Sequence, residues 1–522
     1  MKTKKTSNKS SAWQRSVFYG SCTFLFLWGF ALRAVELLNR NFLFGLDNGR
    51  DFLAAYSIVV RHKLTLIGAE AGSGVAGING IFHGPGYFYL ISLAFALFHG
   101  DPFGAEIFMV VFGLAALAAA AWVGYKVMGK LGSILFLFFT AVSPLIVSQS
   151  RFIWSSHPLT VFVILTMYFV YRIGDNPRVF APLAVFTAGF TYNSQLGVAV
   201  PLTAAVLLSI PVVYQITDLS VYLTSLAALV FAFAPMGLFE IRHHFMAVHS
   251  AISYIHGGGS GASGSLFEAK RLMSHIQDYL NNFYNTFAFE FGWIPNAVQL
   301  VVLKISIPFV LYGLTLVGGK QLRRFILFLF LCVAVTWAGY LFLNNVVWDY
   351  YLTHTRIAFI LLFTLGGIGL YRHRGENLLT KASLGVYLIL LLTVGVGSVF
   401  RMYISYTQDI HDNNVIDKIK GKHELIDMMY KDAKGKPFSV FVFEPGIYTY
   451  AYDYLFMTYG VNKYGYKPTA VKHGLAYLVI EPDRNQPWRQ NGWLETVVQG
   501  GTILWQKTLF NGGVIFLKKL YP

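Results

Sequence analysis

Long apolar runs separated by short basic turns dominate this chain. The first, Val17 to Leu38, follows a polar, basic start, MKTKKTSNKSSAWQR. It is too long for a signal-peptide core and lacks a small-residue cleavage site before the charges resume, so it predicts an uncleaved first span. Further runs at 104–125, 132–150, 157–172, 179–192, 196–213, 218–239, 297–317, 325–343, 354–370 and 382–402 bring the expected total to about eleven membrane-spanning helices, judged against a hydrocarbon core of ~30 Å. One run, YFYLISLAFALF at 87–98, is too short to cross and predicts a helix in, or dipping from, the outer interface.

Charge placement gives this pattern a direction. With the N-terminus inside, the inner loops carry Lys126 and Lys130, Arg172 and Arg178, Lys320, Arg323 and Arg324, and Arg372, Arg374 and Lys381, the expected positive-inside bias. The loop near Asp218 is silent. Two long outer loops follow, 40–103 and 240–296, the second holding FEIRHHF, GGGSGASGS and the amphipathic stretch LFEAKRLMSHIQDYLNNFYNTF, which fits a helix lying along the membrane.

After residue 403 the pattern changes to mixed polar sequence with 14 Lys and Arg against 11 Asp and Glu. FSVFVFE and AYLVIE read as strands, YTYAYDYLFMTYG as a helix, and TILWQKTLF with GVIFLKKL as a closing strand pair around Asn511-Gly512-Gly513. The expected organisation is a transmembrane domain over 1–403 and a soluble extracytoplasmic α/β domain over 404–522.

Composition narrows the class. Of 522 residues, 55% are hydrophobic, 17% aromatic and only 13% charged, which identifies an α-helical polytopic membrane protein, expected in the cell membrane among membrane lipids. The net charge of +16 sits in clusters between apolar runs rather than along one basic face, which argues against a nucleic-acid partner. Cys22 and Cys332 lie inside apolar runs, so neither a disulfide framework nor a cysteine metal cluster is available. No Gly-rich nucleotide motif and no internal repeat is present.

Candidate chemistry concentrates on the outer face. In LFGLDNGRDFLAAY (43–56), Asp47, Arg50 and Asp51 follow an i, i+3, i+4 spacing, so a helix starting there places all three on one face. A partly desolvated carboxylate steadied by arginine could remove a proton from an acceptor. The plainer alternative is an N-cap with a surface salt bridge. FEIRHHF brings Glu240, Arg242, His243 and His244 to a span end, where Arg242 could grip a phosphate or pair with Glu240. The adjacent histidines cannot share one helical face toward zinc. NNVVWDYYLTHTR adds Asp349, Tyr350, His354 and Arg356, either a donor pocket or an aromatic belt. TYNSQ (191–195) reads as a polar outer turn whose Gln195 could reach a sugar.

The acidic motif after the first span, FHGPGYFYL, YKVMGKLGS and LFFTAVSPLIVSQSRFIWSSHPL together resemble the GT-C class of membrane glycosyltransferases. The likeness is greatest to the protein O-mannosyltransferases and the aminoarabinose transferases of lipid A. It covers residues 17 to 250 by motif and the remainder by layout. The resemblance implies a sugar donor on a polyprenyl phosphate, an acidic first-loop residue as catalytic base, and inversion at the anomeric carbon; Asp47 is the matching position. The family commonly has Asp-Glu there, whereas Asn48 follows Asp47, so the second carboxylate is either absent or supplied by Asp51. His83-Gly84-Pro85 resembles the His-Pro of the mannosyltransferases, so His83 either contacts the lipid phosphate or caps the helix. Arg151 stands at the family's arginine, or snorkels, and the usual following acid is missing from FIWSSHP. The implied enzyme transfers sugar to an extracytoplasmic protein, lipid or glycan, with Arg50, His83, Arg151, Arg242, His354 and Arg356 as donor-binding candidates. No cofactor is required, and a divalent metal stays open. A lipid-linked-sugar flippase or an inactive scaffold are the alternatives.

Overall fold

A computed structural model describes residues 3–71, 80–255, 269–289, 294–341, 347–413, 415–446, 448–510 and 513–522. The GGGSGASGS stretch and Asn511-Gly512 lie outside the described residues. Helix α1 (Thr3–Ala31) stops short of the expected Leu38. Buried Arg33 follows it and donates to the carbonyls of Gly29 at 2.7 Å, Ala141 at 2.9 Å and Thr140 at 3.1 Å, so one cation closes two helix C-termini. The rest of the first apolar run forms α2 (Val35–Asn39). Next come α3 (Leu46–Val59) and α4 (Gly86–Leu97), the latter where an interfacial helix is expected.

Helix α5 (Phe103–Val142) doubles back at Gly129, whose φ of 79° suits glycine. Beyond the reversal Ser133 Oγ donates to the Ala121 carbonyl at 2.7 Å, so 103–128 and 130–142 run antiparallel. The expected basic turn between two runs is therefore present. The bundle continues with α6 (Pro144–Ser148), α7 (Leu159–Arg172), α8 (Pro177–Phe190), α9 (Leu196–Val212), α10 (Leu219–Ala232), α11 (Ala234–Arg242), α12 (Met246–Ile255), α13 (Ala269–Phe287), α14 (Ile294–Thr315), α15 (Lys320–Leu341), α16 (Thr353–Arg372) and α17 (Leu378–Thr407).

Among the described residues five helices are long and apolar enough to cross a membrane, or six if α10 and α11, bent by 65°, form one broken span. The chain is an integral membrane protein. Several expected spans are short helices: α7 and α8 have 14 residues each, and α9 has 17. Helix α16 is the axis of the bundle, buried from Thr353 to Leu370 against α5, α7, α14, α15 and α17.

Beyond α17 come α18 (Ile419–Ala433), β1 (Ser439–Phe443), α19 (Tyr450–Leu455), α20 (Val461–Tyr464), β2 (Gly474–Ile480), α21 (Pro487–Thr496), β3 (Thr502–Leu509) and β4 (Val514–Tyr521). The sheet order is β1-β2-β4-β3. β1 and β2 are parallel across a helical crossover, and β4 pairs antiparallel with both β2 and β3. These are the expected strands and helix. One apolar core joins this unit to the segment 40–103: Phe44, Phe52, Tyr87 and Ile91 pack in the same cluster as Leu425, Met429, Tyr454 and Phe516. The Phe44 N–H donates to the Asp417 carbonyl and the Ile419 N–H to the Phe42 carbonyl, both at 2.9 Å. A Cβ on Gly49 would lie 2.2 Å from the Ala451 nitrogen, so α3 lies directly against the chain entering α19.

Candidate functional site

Helix α3 begins after Gly45, in extended conformation, and Asn48 reaches back to accept the Gly45 N–H at 2.9 Å. The amide nitrogen of the same side chain donates to the Ile153 carbonyl at 2.6 Å. Asn48 is buried and both ends of its amide are used. A carboxylate there could not donate to Ile153, which accounts for asparagine at the position where the family resemblance leads one to expect glutamate.

One turn of this helix brings Asp47, Arg50 and Asp51 together. Arg50 Nη1 donates to Asp47 Oδ1 at 2.7 Å, and its Nη2 and Nε donate to Asp51 Oδ1 at 2.8 and 2.9 Å. The two carboxylates differ in access: the Asp47 side chain is 30% exposed and that of Asp51 only 4%. Burial pushes the Asp51 carboxyl up to about 6 against the opposing pull of Arg50. Among the described residues Asp47 Oδ2 has no hydrogen-bond partner. The trio thus offers one open carboxylate oxygen beside an arginine that a buried carboxyl orients.

His83 and Tyr87 lie beside this face. The Leu196 N–H donates to His83 Nδ1 at 3.0 Å, which leaves the neutral ring's proton on Nε2. Burial, with Arg50 adding to it, holds the imidazole down to about 4, so His83 caps the start of α9 and can only donate. The turn it docks on, Thr191–Asn193, is buried rather than the exposed outer turn expected for TYNSQ. Tyr87 is buried with an unbonded hydroxyl in electrostatic reach of Asp51, Arg50 and Asp47. Across the site Tyr350 feels the charge of Asp47 and packs 6.0 Å from Trp154. Between these rings lies a cavity of about 230 Å³ bordered by Gln149, His157 and Asp349.

A second cluster lies at a larger cavity of about 530 Å³ lined by Glu36, Arg151, Arg401, Asp409 and Lys418. Arg151 neither snorkels nor stands free. It donates to Glu36 at 2.7 Å, to Asp409 at 2.9 Å and to Ser405 Oγ at 2.9 Å, and Arg401 also holds Asp409, at 2.7 Å.

The other expected residues do not join either group. Glu240 is buried and accepts the Ala247 and Val248 N–H groups at the start of α12, not Arg242. Arg242 is exposed at the end of α11 with no partner among the described residues, and His243 Nδ1 lies 2.9 Å from the Phe239 carbonyl. Arg356 is fully enclosed and donates to the Asp349 carbonyl and, at 3.2 Å, to its carboxylate. His354 Nε2 lies 2.7 Å from Thr336 Oγ1 inside the bundle. Neither lines the two cavities. Among the described residues no three His, Cys, Asp or Glu side chains converge as metal ligands.

Sequence reading missed Glu36, Arg401, Asp409 and Lys418. The available signal was Arg33 and Glu36, two charges inside an otherwise apolar run.

No family model matches the chain, and no curated protein matches its sequence. Solved structures do. ArnT from Cupriavidus metallidurans bound to undecaprenyl phosphate superposes with a TM-score of 0.52 at 11% identity, covering 97% of this chain and 98% of that one. Its apo state gives 0.56 at 12% identity over 98% of each. The fold expected from the resemblance to GT-C membrane glycosyltransferases is the fold found, along the whole chain.

Proposed function

We propose that this protein is a membrane glycosyltransferase that takes a sugar from a polyprenyl-phosphate donor and passes it to an acceptor on the extracytoplasmic side. The observation that carries the reading is an open carboxylate, Asp47, in the first turn of α3 of a chain sharing the fold of ArnT. ArnT binds undecaprenyl phosphate in its solved structure. In this reading the N-terminus is cytoplasmic, all about eleven apolar helices cross or enter the membrane, and residues 404–522 form an extracytoplasmic module in the cell membrane's outer aqueous space.

Asp47 is the general base. The acceptor oxygen attacks the anomeric carbon, its proton passes to Asp47 Oδ2, and the bond from that carbon to the phosphate oxygen breaks with the electron pair leaving on the lipid phosphate. Attack from the face opposite the phosphate inverts the centre. Asp51 holds Arg50, and Arg50 with the His83 Nε2–H stabilises the developing phosphate charge. Arg151, Arg401 and Lys418 give the larger cavity its cations, with Arg242 as an exposed outer one. Arg356 and His354 act through the packing of α16. A flippase needs ionisable groups near mid-membrane in paired broken helices; the buried charges of the helical bundle lie instead near helix ends, Arg33 and Glu36 around α2, Glu106 in the first turn of α5, Arg151 after α6, Glu240 in the last turn of α11 and Arg356 in the first turn of α16.

The test is transfer from a polyprenyl-phosphate sugar by purified protein in nanodiscs. Asp47→Asn should lower turnover by ~10²–10⁴-fold with the melting temperature kept. Near-wild-type turnover in that variant would remove the assignment. Absence of any transfer by the wild type would return the scaffold reading.

A further inference from the structure

Between β1 and α19 the chain carries two tyrosines whose position the core does not explain. Tyr448 and Tyr450 stack with ring centroids 5.2 Å apart and planes 6° from parallel. Tyr448 is 51% exposed, and neither hydroxyl has a hydrogen-bond partner among the described residues. Tyr450 is half-buried and carries the open ring of Tyr448, so the stack leaves apolar ring surface in water at Tyr448, which points to a ligand or a surface.

Both ends of this turn hang from one buried ammonium. Lys422 Nζ donates to Glu444 at 3.1 Å before the turn and to Glu481 at 3.0 Å. Glu481 also accepts from the Tyr452 hydroxyl at 2.7 Å after the turn, and Lys422 lies 4.3 Å over the Tyr452 ring. The inner side of the turn rests on α3: a Cβ on Gly446 would come within 2.4 Å of Leu46, and Gly49 abuts Tyr450 and Ala451. The rings are therefore held against the helix that carries Asp47.

The chemistry of the turn selects the occupant. Thr449 Oγ1, half-buried, donates to the exposed Asp453 Oδ2 at 2.9 Å. A carboxylate beside the rings is repelled by an anionic lipid surface but accepts from hydroxyl groups. A pyranose presents an apolar face of C–H groups and a rim of hydroxyls, which matches ring face and carboxylate together. We propose that Tyr448 and Tyr450 form a carbohydrate-binding subsite for a glycan acceptor, with the Tyr448 ring stacking on one pyranose and Asp453 accepting from its hydroxyls. The proposal rests on the transferase reading for its role, but its binding event is measurable without transfer.

The experiment is saturation-transfer NMR on the full chain in nanodiscs, with cellotetraose, chitotetraose and mannotetraose as probes. At least one tetraose should bind, with saturation greatest on its ring C–H protons. The double variant Tyr448→Ala/Tyr450→Ala should weaken binding roughly tenfold or more, and Tyr448→Phe should retain it. An unchanged melting temperature in the double variant excludes misfolding as the cause. Asp47→Asn should leave binding intact. Failure of all three probes, or equal binding by the double variant, overturns the subsite. Tetraose binding by a wild type that transfers no lipid-linked sugar leaves the subsite standing and overturns the transferase reading.

Discussion

Two arginines in this protein each sit between two carboxylates, with opposite consequences. Arg151 joins Glu36 and Asp409, residues from three distant parts of the chain, and its side chain and that of Glu36 are 9% and 10% exposed. Arg50 joins Asp47 and Asp51 on a single turn of α3, with Arg50 and Asp47 27% and 30% exposed. The first cluster ties α2 to the loop after α6 and to the end of α17. The second ties nothing distant together, so its charges are not consumed by architecture. A local, half-open ion cluster on a helix buried on its other side is where chemistry is affordable to the fold; a closed, long-range one is where it is not.

Perturbing the closed cluster should break this contrast first. Arg151→Ala leaves Glu36 and Asp409 without their shared partner, and a broken buried pair costs about 3–5 kcal/mol. The expected outcome is a large fall in melting temperature and folded yield, the reverse of Asp47→Asn. A stable Arg151→Ala variant lacking only donor affinity would make Arg151 a phosphate ligand after all. Asn48→Glu should cost about 1–3 kcal/mol, because the Ile153 carbonyl loses its donor; thermal unfolding checks this, and an unchanged midpoint would show that the amide does not hold α3 to that loop.

Acidification sharpens the comparison further. Asp51, raised to about 6, stabilises the fold most at low pH and loses that contribution as pH rises through its shifted value. His83, lowered to about 4, does the opposite: its contribution is present above the ordinary histidine value and is lost as pH falls. In the wild type the two oppose each other between pH 4 and 6. Asp51→Asn leaves His83 alone, so its melting temperature should fall more steeply than the wild type's from pH 7 to pH 4.5, by the equivalent of roughly 2 kcal/mol. Parallel profiles would sink the argument. At the bottom of the scale, Arg178→Ala removes a surface pair with Asp218, 72% and 38% exposed, and should leave the melting temperature indistinguishable from the wild type's.

How much of this is legible in the sequence follows from the range of each interaction. The helices α7 to α9 and α13 to α17, the reversal near Lys126–Lys130 and the strands β1 to β4 declare themselves through local apolar periodicity and turn residues, whereas the bend between α10 and α11 and the helix α12 do not. The Asp47–Arg50–Asp51 face is also local. What stays hidden is long-range. The run 17–38 reads as one span because hydropathy averages over Arg33 and Glu36, whose partners lie more than a hundred residues away. Nothing near Glu240 signals that it would cap α12 rather than meet Arg242. Nor does the change of composition after 403 announce that Phe44 and Phe52 share a core with Tyr454.

The contact at Gly49 orders events in time. Residue 49 is among the earliest to leave the ribosome, yet its packing surface, the backbone at Tyr450 and Ala451, is synthesised some 400 residues later. At ~5–20 residues per second that is an interval of roughly 20–80 s. During it α3 lacks the face that the backbone at Tyr450 and Ala451 supplies, although its own Asp47–Arg50–Asp51 turn, its packing on α4 and its bond to the Ile153 carbonyl need only residues already made. On the transferase reading, the helix that carries the proposed base is thus fully packed only once the segment around residue 450 has been made.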